Sequence, residues 1–201
     1  MPKKRKDVND IMISNEQLIF SIDELRESGL TLYKIHQMED DGILRKLNKK
    51  NYENLKFEGE ESDFYYANAY VPTGVVCLLS AASYYNLTTY IPDAVDIAIK
   101  RKAKASSLPD YPSIALHYYT DERFALGVSE ISDGKNMFRI FDIEKTIVDI
   151  IFYRERVGIE ETKEILISYL RRKDRNLNTL LKYANMMKCG DVLKKYLEVL
   201  I

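Results

Sequence analysis

The stretch that most restricts how this chain can fold is residues 21–52, SIDELRESGLTLYKIHQMEDDGILRKLNKKNY. Ser21 with Glu24 three residues on is a capping box, so a helix is expected to begin there. Ile22 and Leu25 give it one apolar side. Gly29 can end it, because glycine accepts the left-handed conformation that helix C-termini often use. Thr31 can cap a second helix, on which Leu32, Ile35 and Met38 recur at three-residue spacing and are expected to face a core. Tyr33, Lys34, His36 and Gln37 are left on the outer face. Gly42 stops this helix. Ile43, Leu44 and Leu47 then read as a short strand, and Lys49, Lys50, Asn51 and Tyr52 as the tip of a hairpin.

Two short helices, a tight turn and a hairpin, in that order, predict a winged helix-turn-helix. Such a unit places its second helix in the major groove of DNA. The outer face of that helix offers donors, an aromatic ring and a cation, which suits base edges. The hairpin tip would touch phosphates or the minor groove. The candidate DNA-binding residues are therefore Thr31, Tyr33, Lys34, His36, Gln37, Lys49, Lys50, Asn51 and Tyr52. The acidic run Glu39, Asp40, Asp41 must point away from phosphates for this to hold. The alternative is a helix pair that binds protein.

The chain is 201 residues long with 30% charged residues and a net charge of −1, the composition of a folded globular protein. No apolar run approaches the length of a membrane span, and no membrane partner is expected. Residues 3–6 are basic, but acidic residues follow where a leader would need an apolar stretch, so no signal peptide is expected. The string PKKRK matches a nuclear import signal only weakly. Two distant cysteines, Cys77 and Cys189, make no disulfide framework and suit a reduced, cytoplasmic setting. Charge is uneven along the chain: net +1 over residues 1–57, −6 over 58–152 and +4 over 153–201. A near-neutral N-terminal unit predicts modest, salt-sensitive DNA affinity.

Beyond the hairpin, residues 58–63 (EGEESD) read as an acidic linker. A strand-like apolar run starts at Val75, and a helix is expected from Ser80 to about Asn86. Strands are expected at 95–99, 114–119, 127–131 and 137–141, with the Asp133-Gly134 turn between the last two. Asp142 caps a helix to about Phe152. Helices then follow over 160–172, 177–187 and 192–200. The fold class is α+β: an N-terminal winged helix-turn-helix domain (1–57), then a mixed α/β body (58–201) that is helical from about residue 142.

Four ordered segments now carry a resemblance: the winged helix, VVCLLSAASYYNLTTYIP, FRIFDIEKTIVDII and LISYLRRKDRNLNTLLKYANMMKCGDVLKKYLEVL. Together the chain resembles AbiEi-type antitoxins of type IV, abortive-infection toxin–antitoxin systems. It departs from that pattern at Lys145, where arginine is usual, and in the NKKNY hairpin tip, which lacks a glycine. The resemblance implies an autoregulatory repressor that binds double-stranded operator DNA and counteracts a nucleotidyltransferase-like toxin through its C-terminal domain, with no stable complex assumed; the alternative is a protein-interaction module or a stand-alone transcriptional regulator without antitoxin activity. The basic residues Arg171, Arg172, Lys173, Arg175 and Lys182 are the candidate antitoxin surface.

Enzyme chemistry finds no footing. Asp93, Asp96 and Lys100 lack the spacing of a metal-dependent nuclease. His36 and His117 have no nearby Cys or His at metal spacing, and no P-loop, GxSxG or GxGxxG string occurs. No catalytic residue, cofactor, metal or small-molecule ligand is expected. Tyr65-Tyr66, Tyr84-Tyr85 and Tyr118-Tyr119 are expected to serve packing, with one ring of a pair exposed. Lys145 and Asp149, four apart on one helix, are expected to form a surface ion pair.

Overall fold

The computed structural model describes residues 13–104 and 108–200, and the basic string at 3–6 lies outside them. The described residues form a mixed α+β protein with two sheets. The N-terminal region runs β1 (Ile19–Ser21), α1 (Ile22–Glu27), α2 (Leu32–Asp40), β2 (Leu44–Lys46) and β3 (Asn51–Asn54). β1 and β2 both pair antiparallel with β3. The body continues with α3 (Asp63–Tyr70), β4 (Val75–Val76), α4 (Leu78–Tyr84), β5 (Val95–Lys100), β6 (Ile114–Tyr119), α5 (Asp121–Phe124), β7 (Val128–Asp133) and β8 (Asn136–Phe141). It ends in α6 (Ile143–Phe152), α7 (Arg154–Val157), α8 (Ile159–Leu170), α9 (Leu177–Met186) and α10 (Gly190–Leu200).

The local signals in the N-terminal region act as expected. The Ser21 hydroxyl accepts from the Glu24 N–H, and the Glu24 carboxylate accepts from the Ser21 N–H at 2.7 Å. Burial works against the Glu24 carboxylate, yet these bonds hold it below its usual range. Gly29 and Gly42 take positive φ, 97° and 66°, just past the ends of α1 and α2. Phe20, Leu25, Leu30, Ile35, Met38, Leu44 and Tyr52 close a small core. Leu32 departs from expectation and is half exposed. A strict three-residue repeat lags the 3.6-residue turn, so its end member drifts off the buried stripe.

The body is built on a five-stranded sheet of order β6-β5-β4-β8-β7. β5 and β6 are parallel, as are β4 and β8, while β4 with β5 and β7 with β8 are antiparallel. Side chains alternate across it with period two. Val95, Ile97, Ile99, Phe138 and Ile140 pack on one side with Tyr65, Tyr66 and Leu18. Val75, Ala98, Tyr119 and Phe141 pack on the other, against α6, α8 and α9. Tyr65 and Tyr66 are both buried, whereas Tyr118 is exposed beside buried Tyr119.

At the centre of the second layer, every residue of α6 from Glu144 to Ile151 is buried. Asp142 caps this helix by accepting from the Lys145 N–H at 2.7 Å. Gly127, at φ 63°, lies so close that a Cβ would sit 2.8 Å from the Asp142 carboxylate and 2.7 Å from Lys145 Cβ. The Lys145–Asp149 pair is fully buried, which corrects the expected surface ion pair. Nζ donates to both Asp149 oxygens and lies 4.3 Å from the Phe141 ring centroid and 5.0 Å from that of Tyr119. A desolvated cation over aromatic faces gains on the order of 2 kcal/mol, which offsets part of the burial penalty. Burial pushes the Asp149 carboxyl up, and Lys145 opposes it. Glu144 is also buried and accepts from Tyr169 Oη and the Asn176 N–H, both at 3.0 Å.

The N-terminal region is pinned to the body by polar contacts. The Leu18 N–H donates to Asn136 Oδ1 at 2.7 Å, and Asn136 Nδ2 donates to Glu16 O at 3.0 Å. Asn48 and Asn51 both donate to Ala69 O, and Tyr70 Oη donates to Leu47 O. Tyr66 Oη donates to Glu53, the carboxylate that Arg45 also holds. Leu18 itself is wholly buried in the body's core cluster.

Candidate nucleic-acid interface

α2 begins at Thr31, whose hydroxyl accepts from the Lys34 N–H at 3.3 Å. That bond commits the Thr31 side chain to capping. Tyr33 is 80% exposed. Lys34 is half-buried, and its Nζ donates to Gln37 Oε1 at 3.2 Å. His36 is exposed and its Nδ1–H donates to Glu39 at 2.9 Å. Tyr33, His36 and Gln37 thus share one solvent-facing surface with the Lys34 ammonium at its edge.

The helix is electrically lopsided. Its first turn carries no acidic residue, while Glu39 and Asp40 lie in its last turn and Asp41 follows as the C-cap. Acids at a helix C-terminus oppose the macrodipole, so their placement is no gain for helix stability. It leaves the N-terminal end as the half of α2 that an anion can approach.

In the hairpin, Lys49 and Lys50 are exposed at the tip between β2 and β3. Asn48 Oδ1 accepts from the N–H groups of Lys50 and Asn51, which fixes the turn without a glycine. Two of the expected tip residues are placed otherwise. Tyr52 is 1% exposed and packs against Phe20, Leu25 and Ile35, so it is a core residue and no part of the tip. Asn51 is half-buried, with Nδ2 held 2.6 Å from Ala69 O. Both lie on β3, the central strand, which is covered by the small core on one side and by α3 on the other. Lys46, outside the expected set, is exposed on β2 with Nζ 5.8 Å from the Tyr52 ring centroid. Its signal was the Lys46–Tyr52 cross-strand register, which was not evident before the pairing.

The basic residues of the C-terminal part separate in the same manner. Arg172 pairs with Asp174 through Nε and Nη2, at 2.9 and 2.8 Å, and donates from Nη1 to Tyr85 O. Arg175 donates to Arg172 O at 2.7 Å. These two hold the loop between α8 and α9, while Arg171, Lys173 and Lys182 are exposed. The Asp96 carboxylate is engaged within the fold: it accepts from His117 at 2.8 Å and from the Ser80 N–H. Among the described residues no group of three His, Cys, Asp or Glu side chains could hold a metal ion. No described helix is long and apolar enough to cross a membrane.

No family model matches the chain, and no curated protein matches it.

Proposed function

We propose that residues 21–54 form a winged helix-turn-helix that binds double-stranded DNA, with α2 as the reading helix and the β2–β3 hairpin as the wing. The observation that carries this reading is the solvent-facing group Tyr33, His36 and Gln37 on a capped helix whose acidic residues all lie at its far end. Side chains on the N-terminal half of a reading helix are the ones that reach base edges. Lys46, Lys49 and Lys50 supply phosphate contacts beside it. Tyr52 and Asn51 support the wing from within.

Repression of its own operon and neutralisation of a nucleotidyltransferase-like toxin extend this proposal, and they rest on the resemblance to AbiEi-type antitoxins alone. Arg171, Lys173 and Lys182 are the exposed cations that an antitoxin surface would use.

The test is a salt series of fluorescence anisotropy with the DNA upstream of the chain's own reading frame. Each phosphate contact adds about 0.9 to the slope of log affinity against log salt. Replacing Lys49 and Lys50 with alanine lowers that slope by roughly 1.8 if both touch phosphates. An unchanged slope removes the wing assignment. No binding at low salt, with a partner protein retained instead, favours a protein-interaction module.

A further inference from the structure

A cavity of about 440 Å³ opens at one end of the large sheet. The residue after β5, the start of α5 and the C-terminal end of α9 surround it. Arg101, Arg123 and Lys188 bring three positive charges to its wall, and Glu122 is the single carboxylate among the lining residues. None of the three cations forms a salt bridge among the described residues.

The cavity is built, not merely charged. The Arg123 guanidinium lies 3.7 Å from the Phe152 ring centroid and beside the Tyr153 hydroxyl, contacts that hold it at the cavity wall. Lys188 follows the α9 C-cap with φ 59°, a left-handed turn that carries its side chain off the helix line. Thr120 caps α5 through its backbone alone, so its hydroxyl is free to donate into the cavity. Opposite these groups lie Leu126 and the exposed Met186, an apolar wall with one open thioether and the core residue Met187 buried behind it. Thioether sulfur packs favourably against the edge of a flat ring. The volume falls within the range of small-molecule sites.

We propose that this cavity binds a phosphorylated small molecule carried on a flat ring, a mononucleotide being the simplest member of that class. Arg101, Arg123, Lys188 and the Thr120 hydroxyl receive the phosphate, through charge-assisted hydrogen bonds. Leu126 and Met186 receive the ring. None of these residues belongs to α2 or to the β2–β3 hairpin, so the proposal stands or falls apart from the DNA reading.

The test is calorimetric titration of the full chain with adenosine monophosphate, inorganic phosphate and adenosine as separate probes. The monophosphate is expected to bind with submillimolar affinity, phosphate more weakly, and adenosine not measurably. Arg101→Gln and Lys188→Gln each weaken the monophosphate roughly tenfold or more. Both side chains are exposed, so circular dichroism and the unfolding midpoint stay unchanged in these variants. Absence of monophosphate binding at about 5 mM, an affinity too weak for a built site, overturns the proposal. So does binding that both variants leave intact. Equal affinity for inorganic phosphate overturns the ring half and leaves a bare anion site. Binding of a single-stranded oligonucleotide far above the monophosphate, lost in the same variants, overturns the small-molecule class in favour of nucleic acid.

Discussion

On α2, Tyr33, His36 and Gln37 stand in water, and the charged residues of its last turn pair locally or not at all. On α6, Lys145 and Asp149 have no exposed surface, and Glu144 is 8% exposed. Both helices carry a capping side chain at the start and mixed polar and apolar residues along their length. The difference lies in what surrounds them. α2 packs one stripe on a small core and keeps the opposite face open. α6 is enclosed by α4, α8, α9 and the sheet, so each charge on it must find its partner inside. Tyr33, His36 and Gln37 on α2 therefore stand open to solvent. The polar side chains on α6 are consumed in holding the body together.

The largest expected effect that would sharpen this contrast is alkaline unfolding of the body. Burial pushes Cys77, Tyr85, Tyr119, Tyr153 and Tyr169 up, Cys189 up to about 11 and Tyr183 up to about 12. Each stays neutral in the folded chain at a pH where the unfolded chain has already lost the proton. Their stabilising contribution is complete below the unfolded thiol value of 9.0 and falls as pH rises through 11 and 12. The slope is about 1.4 kcal/mol per pH unit for each proton. Denaturant titrations at pH 8, 9, 10 and 11 check this. A flat midpoint across that window would contradict the enclosed body.

Next comes the ion pair itself. Lys145→Met leaves the buried Asp149 without its ammonium partner, and is expected to cost roughly 3–5 kcal/mol. Adding Asp149→Leu should return most of that loss, because two apolar side chains of similar volume remove the stranded charge. Urea unfolding of the single and double variants measures both. A single variant within 1 kcal/mol of the parent would place Lys145 in contact with water.

Within the N-terminal region the same contrast recurs on a smaller scale. Tyr52→Ala empties a core position and is expected to cost about 3 kcal/mol. Tyr33→Ala touches only an exposed ring and should change stability by less than about 0.5 kcal/mol, while weakening DNA binding if α2 is the reading helix. Thermal unfolding and anisotropy on the two variants separate them. Reversed effects would exchange their roles.

A further test concerns the join. Asn136→Ala removes the bonds to Leu18 N and Glu16 O, and is expected to cost about 1–3 kcal/mol through the buried N–H left unpaired. Hydrogen exchange should show earlier exchange at Leu18 than at Ile35. Uniform exchange of both would mean that the region does not loosen at its attachment.

How much of this was legible in the sequence depended on whether the signal was local. Ser21 with Glu24, Thr31, Asp142 and the Asp133-Gly134 turn act through bonds within three or four residues, and each stands where it was expected. β1, α5 and α7 are three or four residues long, too short for any period to announce them. Lys145 and Asp149 show how i,i+4 spacing reports adjacency and says nothing about burial. On β3, Tyr52, Glu53 and Asn54 are all buried, so no alternation appears. Glu53 is bound by Tyr66 and Arg45, and Asn54 donates to Ser14 O and Gln17 O. Those partners lie on other elements, so Tyr52 reads as a wing-tip residue until the third dimension is known. The outer face of α2 was legible from helical period, and only half of the hairpin tip was.

Asn136 and the shared carbonyl of Ala69 have a mechanical consequence. A DNA-reading unit on a flexible tether tumbles on its own and tries many angles while its parent stays still. Here the first region is bolted to the second at several points, so α2 turns only as fast as the whole 23.4 kDa molecule turns. Any duplex that meets α2 meets the body at one fixed bearing. On the proposed DNA reading, that join exchanges freedom of search for a set angle of approach.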